Sequence, residues 1–494
     1  MRSGAHVMRS WWLFLNRTCM VLRIVTKCYR VVISYDESEE DTKMEKTKEK
    51  RYLNWFNMIG YGSGDMAANF VYSVIMNFVL IVMTDSVGLS AGIVATLIAV
   101  SKVFDGVSDV FFGHLLDKTH TKMGKARPWM FWSSFGNAIC MIALFAIPGG
   151  LGDAAKYAWF FIFYTALNAL FYTANNISYS ALTALITKNE NERVMMETIR
   201  FMFSFATGMV VSWAGTRMAA AMGWTVTAII FAIASVVVNT ISVFSVKELP
   251  EEELNDVTVD GPKNDADIDF LTSFKLLLKN KYYFGIMATY LFIYASDGFA
   301  AVGIYYMKYI LGDENLYGTF SIAMNLPMII GLLFVPIVIQ KTGVYKANIW
   351  GYAGAAVFRG LFGVFGLMGN IPLMLICMAI SQIFSCPVAG DLNAVIADVS
   401  EYTFLTSGKR IDGTIFSCSS VGIKIGSAIG TVVAGWMLEA GGYVANAVTQ
   451  TPECISMLKI MYLLVPFILN TLLAVVMVTL NVSKANDKLR AQKA

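Results

Sequence analysis

Runs of about 20 mostly apolar residues recur along nearly the whole chain, and no other feature limits its fold as strongly. A hydrocarbon core about 30 Å thick takes about 20 apolar residues to cross as a helix. Of the 494 residues, 56% are hydrophobic and 15% are charged, against roughly 25% charged in soluble domains. The chain therefore reads as an all-α polytopic membrane protein. Twelve spans are predicted, at roughly 56–83, 88–116, 128–148, 157–185, 198–220, 223–245, 283–310, 316–340, 347–369, 372–399, 413–438 and 457–481.

The loops sort by charge. Residues 117–127 carry Lys118, Lys122, Lys125 and Arg127, and residues 186–197 carry Lys188 and Arg193. In the second half, 341–346 carry Lys341 and Lys346, and 406–412 carry Lys409 and Arg410. The alternate loops 84–90, 370–371 and 439–456 hold no Lys or Arg. The positive-inside rule places the basic loops and both termini in the cytoplasm of a cell-membrane protein.

The longest loop, 247–282, contains "ELPEEELNDVTVDGPKNDADIDF". It is acidic and weakly apolar, and reads as a largely disordered cytoplasmic linker. It separates a six-helix half at 44–246 from a second at 283–481, with a cytoplasmic tail at 482–494. A short repeat supports the division: "LLDKTHTKMGKARPW" follows span two and "VIQKTGVYKANIW" follows span eight. Repeated halves with a substrate site between them are the usual build of secondary transporters. Residues 1–43 are apolar but broken by Arg17, Arg23, Lys27 and Arg30, too costly for a spanning helix. They read as an upstream extension of the reading frame, with Met44 the better start, or else as a basic surface helix.

Several function classes are excluded. The 7 cysteines are scattered and only 3 histidines are present, so neither a disulfide frame nor a zinc site is indicated. No nucleophile elbow, His–Glu zinc motif or Walker loop occurs, which argues against an enzyme and against direct use of ATP. No organic cofactor and no nucleic-acid partner is implied. Nothing requires an oligomer, so the expectation is a monomer in the bilayer.

The chemistry lies in charges placed inside spans, where each needs a partner, a water path or a function. Asp105 and Asp109, at i and i+4, share one face of span two. Two converging carboxylates repel unless a cation sits between them, and sodium or a proton serves. The alternative is a salt bridge to Lys102. Asp65 and Asn69 on span one, Asn176 on span four, Arg200 opening span five, Asp297 on span seven, Arg359 on span nine, Asp391 on span ten and Lys424 on span eleven are further buried candidates. Arg200 and Lys424 can also serve simply as partners that let acids insert. Aromatics on spans one and seven, among them Tyr61, Tyr72, Tyr290, Tyr294, Tyr305 and Tyr306, suit the apolar face of a sugar ring, although interfaces and helix packing use tyrosines too. In loop 117–127, Asp117 ends a helix, Gly124 permits a tight turn, and Lys125 and Arg127 can bridge to helix ends of the other half when the inside is closed.

The segments "YGSGDMAANF" (61–70), "TDSVGLSAG" (84–92), "FDGVSDVFFGHLLDKTHTKMGKARPW" (104–129), "NNISYSAL" (175–182) and "IADVSEYTFLTSGKRIDG" (396–413) resemble the glycoside–pentoside–hexuronide:cation symporters of the major facilitator superfamily. The resemblance covers roughly residues 52–485. It implies that Asp105 and Asp109 bind the coupling cation, and that Asn176 contributes to both cation and sugar sites. It implies a base near the sugar at Arg200, a lysine near the cation at Lys424, and an inner gate around Gly124, Lys125 and Arg127, to which Asp117 and Arg193 are added. Asn69, Asp65 and Asp297 complete the expected substrate set.

The chain departs from the melibiose-transporting branch. Asn69 and Asn176 stand where that branch has aspartates, and Ser180 where it has a tryptophan. Fewer negative charges beside Arg200 make room for an anionic sugar, and "GGYVANAVTQTPE" (441–453) looks like the last outer loop of glucuronide permeases. The expected substrate is thus a glucuronide or a pentoside, imported with sodium or protons. The competing readings are a lysophospholipid or other amphiphile transporter of the same fold, and a sugar sensor that does not transport.

Overall fold

The computed structural model describes residues 51–187, 189–250, 270–408 and 412–493. The proposed extension 1–43 and most of the linker lie outside them. Span one is Trp55–Ile81 with a π-helical end, Val82–Ser86; span two is Ala91–Asp117 and span three Arg127–Phe145. Span four joins Asp153–Thr165, a π turn at Ala166–Tyr172, and Thr173–Ile186. Spans five and six are Glu190–Met222 and Trp224–Ser245. Span seven is Lys281–Gly298, Val302–Tyr306 and a π turn Met307–Leu311. Spans eight to eleven are Leu316–Thr342, Val344–Leu367, Ile371–Ser407 and Asp412–Ala440. Span twelve runs through Pro452–Lys459, Ile460–Leu464 and Val465–Thr479, and a tail helix follows at Val482–Lys493.

Local sequence explains where these rods begin. Asn54, Ser90, Asn189, Asn280, Asn370 and Thr451 each accept a backbone N–H in the first turn of the helix they open. Short oxygen-bearing side chains are preferred there because the first N–H groups have no partner inside the helix. Pro128, Pro372 and Pro452 sit in first turns, where a missing N–H costs nothing. Eight helices of the described residues are long and apolar enough to cross a membrane, or nine when the pair Lys281–Gly298 and Val302–Leu311, bent by 40°, counts as one. Span two, with Lys102, Asp105 and Asp109 along it, is not among them.

Two elements differ from expectation. Spans five and ten run to 33 and 37 residues, well past their predicted ends. Apolar content marks only part of each helix, whereas residues such as Glu190–Arg193 and Glu401–Phe404 continue it on charged and polar side chains. Part of the linker is also ordered, with Phe270–Lys279 forming a helix; its hydrophobic residues, Phe270, Leu271, Phe274 and Leu276–Leu278, lie beyond the acidic run.

Small residues let the rods approach. Gly430 of "GTVVAG" lies against the backbone of Ala295 in span seven, and Gly435 against Ala91 and Ala95 of span two. A side chain at either would collide with its neighbour, as at the small-residue contacts typical of membrane helices. Spans one, five and six pack together, as do nine with ten and seven with eleven. Between the halves, span two meets span eleven and span five meets span eight. Hydrogen bonds that join the halves include Tyr317 to Asn77 at 3.0 Å, Tyr305 with Thr84 at 2.9 Å, Ser90 to Glu439 at 2.9 Å and Trp436 to Thr96 at 3.1 Å. These lie toward the base-poor end of the bundle, where the halves are drawn together.

Candidate functional site

Span two presents Asp105 and Asp109 one turn apart, and span eleven answers with Lys424. The Lys424 ammonium pairs with the Asp109 carboxylate, stands 3.5 Å from Asp105 Oδ2 and reaches the Asp105 carbonyl at 3.3 Å. It is a positive charge held between two carboxylates that belong to the other half. Thr173 of span four donates to Asp105 Oδ1 at 2.5 Å. Lys102, the expected alternative partner, is hydrogen-bonded to Ser427 of span eleven and shares its charge between Asp105 and Asp297. Side-chain exposures of 22% for Asp105, 33% for Asp109 and 23% for Lys424 put the group at the edge of an accessible space, not in a dry core.

Asn176 lies one turn beyond Thr173, on the same face of span four. It is exposed and makes no side-chain hydrogen bond to a described residue. Ser180, one turn further, and Asp297 on span seven are exposed as well. Polar groups in mid-span do not face lipid, so they border a water-accessible cavity. The aromatics Tyr72 and Tyr172, stacked at 5.9 Å between ring centroids, and Tyr290 and Tyr294, stacked at 6.2 Å, come from spans one, four and seven. Tyr72 and Tyr294 both lie within the field of the Asp297 carboxylate.

Arg200 forms a second centre on the first half. Its guanidinium lies 4.4 Å from the Tyr179 ring, donates to Glu197 at 2.8 Å, and is 3.6 Å from Asp65. Its buried Nε has no hydrogen-bond partner among the described residues. Asn69 donates to the Asp65 carbonyl and to Ser204, both at 2.9 Å. Arg200 thus has two carboxylates beside it, and Glu197 was missing from the sequence reading because it sits in a charged helix end that hydropathy does not single out. Lys424 lies between Asp105 and Asp109 and away from Arg200. Arg359 lies elsewhere, buried against Phe362 and donating to Met378 Sδ at 2.9 Å. The side chain of Asp391 lies outside the described residues.

Residues 60–484 match the family model for MFS/sugar transport proteins. The chain belongs to that family. It is a membrane transporter and not an enzyme, and the resemblance to the glycoside–pentoside–hexuronide:cation symporters holds over the whole bundle. An uncharacterized symporter, YnaJ, of Bacillus subtilis is 29% identical over 88% of this chain and 93% of its own length. The isoprimeverose transporter of Lactiplantibacillus pentosus is 26% identical over 92% and 94%. The glucuronide carrier protein homolog of Escherichia coli is 27% identical over 84% and 90%. Among solved structures, the nucleoside transporter NupG (D323A mutant) superposes with a TM-score of 0.57 at 14% identity, covering 86% of this chain and all of that one. A bacterial homolog of the human lysosomal transporter Spinster, in an inward-facing and unoccupied conformation, gives 0.56 at 12% identity, covering 88% and 98%. Both show the fold.

In this transporter the basic loop after span two is fastened to its own half. The carboxylate of Glu248 accepts the backbone N–H groups of Lys125 at 2.7 Å and of Ala126 and Arg127 at 3.0 Å each. It thereby caps span three, whose own N-cap residue, Ala126, offers no side-chain acceptor, and it places a negative charge at a helix N-terminus. Arg127 Nε donates to the Val243 carbonyl at 2.8 Å, and Arg193 donates to the Thr187 carbonyl at 3.1 and 2.9 Å. Glu192 binds the backbone N–H groups of Tyr52 and Leu53 and accepts from Thr187 at 2.6 Å. The side chain of Asp117 lies outside the described residues. Gly124 has φ +106°, and an added Cβ would meet the Glu248 carboxylate. Gly124→Ala should therefore destabilise the protein by about 1–3 kcal/mol, read as a lower melting temperature in detergent. An unchanged melting temperature would mean that the loop repacks at no cost.

Sequence reasoning also missed a polar hub at the base-poor end. Asp85, in the π turn that ends span one, has a side chain only 7% exposed. Its carboxylate pairs with Lys308 and accepts from Tyr443 and, at 3.1 Å, from Tyr309. Its carbonyl accepts from Asn446, which adopts φ 54°. Lys308 and Tyr309 lie in the π turn of span seven, the counterpart of span one, so the two halves meet through equivalent distortions of equivalent helices. The available signal was Lys308 itself, a base at the end of the bundle where bases are scarce.

Proposed function

We propose that the protein imports a glycoside together with a sodium ion or a proton, cycling between a form open to the cytoplasm and one open outside. The observation that carries the reading is the Asp105–Asp109 pair of one half engaged by Lys424 of the other. A cation placed on that pair changes what holds the halves together, which is how ion binding can alter access to the cavity. The donors around it, two carboxylates, the Thr173 hydroxyl and the neighbouring Asn176 amide, are hard oxygens suited to sodium. The basic loops are taken as cytoplasmic. The halves are joined at the opposite end, so this structure corresponds to the inward-facing form.

For the substrate, the geometry favours an uncharged glycoside of the pentoside class over a glucuronide. A sugar hydroxyl placed between Arg200 and Asp65 accepts from the unpartnered Nε and donates to the carboxylate. A sugar carboxylate there meets Asp65 and Glu197 as well as the arginine, and like charges repel. Asp297, Asn69 and the tyrosines complete a lining of hydroxyl-binding groups and ring faces. An amphiphile would find charged groups where its chain must lie.

The test is uptake of labelled sugars into proteoliposomes under an imposed sodium or proton gradient. An uncharged pentose-containing disaccharide should accumulate at least about tenfold faster than a glucuronide, a difference of 1.4 kcal/mol. Equal or faster uptake of the glucuronide would reverse the substrate assignment. No accumulation of any glycoside under either gradient would remove the symport reading.

A further inference from the structure

A pocket of about 380 Å³ lies at the basic-loop end, where span seven begins, span twelve ends and the tail helix starts; its walls include Lys281, Lys484, Lys488, Tyr282, Tyr402 and Gln492. Three lysines line it, and no Asp or Glu is among its lining residues. Lys281 is the first residue of span seven, and Lys484 lies in the first turn of the tail helix. The N-terminus of span seven therefore adds its partial positive charge to the three lysines.

The walls are held in place. Asn280 is 3% exposed; it accepts the Tyr282 N–H at 2.9 Å and donates to Thr403 at 2.8 Å and the Val399 carbonyl at 3.1 Å. Asn486 ties the tail helix to the Asp398 carbonyl at 2.9 Å, and Arg490 reaches Glu401 at 3.4 Å. Tyr282 and Tyr402 pack edge to face with centroids 4.9 Å apart. Of the acids on span ten near the tail helix, Glu401 is engaged by Arg490, and the Asp398 carboxylate accepts from Tyr345 at 2.7 Å. Like charges gathered in a fixed frame repel one another unless an anion joins them.

We propose that this pocket binds a phosphate group, supplied by an anionic phospholipid headgroup of the adjoining leaflet or by free phosphate. It lies where a membrane helix enters water, and basic pockets between spans at that level recognise lipid headgroups. Tyr282 and Tyr402 offer hydroxyls and ring faces beside the charge, as groups at the membrane–water boundary commonly do.

The experiment uses the full chain purified in detergent, wild type beside Lys281→Gln/Lys484→Gln/Lys488→Gln. Phosphatidylglycerol, phosphatidylcholine and inorganic phosphate are added in separate arms, with binding read by native mass spectrometry and thermal shift. A Lys341→Gln/Lys346→Gln variant controls for charge lost elsewhere at the same end. Phosphatidylglycerol should bind the wild type, and the triple variant should bind it about 100-fold more weakly, with the control unaffected. Binding of inorganic phosphate lost in the triple variant would identify the free ion as the source. If neither ligand binds, or if the triple and control variants lose binding alike, the pocket is not a phosphate site. Should the triple variant fail to fold, Lys484→Gln alone, expected to weaken binding about fivefold, replaces it.

Discussion

Asp105→Asn and Asp109→Asn should each abolish gradient-driven accumulation of the glycoside while leaving downhill entry measurable. The two acids are the only carboxylates that Lys424 engages among the described residues. Removing either leaves a lysine facing one acid, and removes one of the two charges that a coupling ion would bind. Breaking a buried pair by deleting one partner costs about 3–5 kcal/mol, but this group is partly exposed and solvent screening reduces that figure. Coupling is the better measure: linked binding of two ligands typically amounts to about 1–3 kcal/mol, or about 5–150-fold in affinity. The ion dependence of sugar affinity should fall by that factor in each variant, and accumulation with it. Proteoliposome uptake against an imposed gradient, paired with sugar exchange in its absence, separates loss of coupling from loss of the fold. Full accumulation in both variants would make the pair structural, and the search for the coupling carboxylate would move to Asp65 and Asp297.

Asp85→Asn should release the base-poor end. The carboxylate receives Lys308, Tyr309 and Tyr443, all from the second half. Asparagine keeps the shape but loses the charge, and its amide nitrogen meets donors where an oxygen met them. Hydrogen bonds to charged groups contribute about 1.5–3 kcal/mol each. Losing the equivalent of one shifts the balance between the two access states by about 10–100-fold toward the form open at the base-poor end. Spin labels at Gly149→Cys and Met368→Cys, exposed at the base-poor ends of the two halves, report that opening as a longer distance. A distance distribution identical to that of the parent would show that Asp85 does not hold this closure. Lys308→Gln should give a change of the same sign, since it removes the other charge of the pair.

Much of the architecture could be read from hydropathy. Spans such as Trp55–Ser86 and Val344–Leu367 are apolar enough to stand out, and the first begins at a recognisable capping residue, Asn54. Their ends were less legible where the helix leaves lipid, because helices such as Glu190–Met222 continue on charged residues that still favour helix. The pair Asp105 and Asp109 was visible because an acid within an apolar run has no innocent reading. What faces a charge was not visible. The choice of Lys424 over Lys102 as the nearer base depends on how span eleven is rotated against span two, which Gly430 and Gly435 decide through contacts 130 or more residues apart in the chain. Glu248 and Glu192 look like ordinary acids of charged segments; only the folded chain brings them to backbone N–H groups of another loop. Asp85 looked like a loop residue, and its importance lies in donors supplied by a half that begins some 200 residues later.

The Lys424 contact has a consequence for how the carrier responds to its surroundings. On the proposed reading, the ion that binds Asp105 and Asp109 does not meet two bare acids. It competes with an amine that the fold already holds against both acids. The apparent affinity for the ion is therefore a difference between two affinities, and no value for the carboxylates alone will predict it. When the ion is scarce the lysine offsets one of the two negative charges. On the proposed reading, a plentiful ion displaces the lysine. Any substitution that strengthens the lysine's hold will make the carrier less sensitive to ions and quicker to reset, and one that weakens it will do the reverse. Ion sensitivity and turnover are thus two readings of one contact and cannot be adjusted independently there.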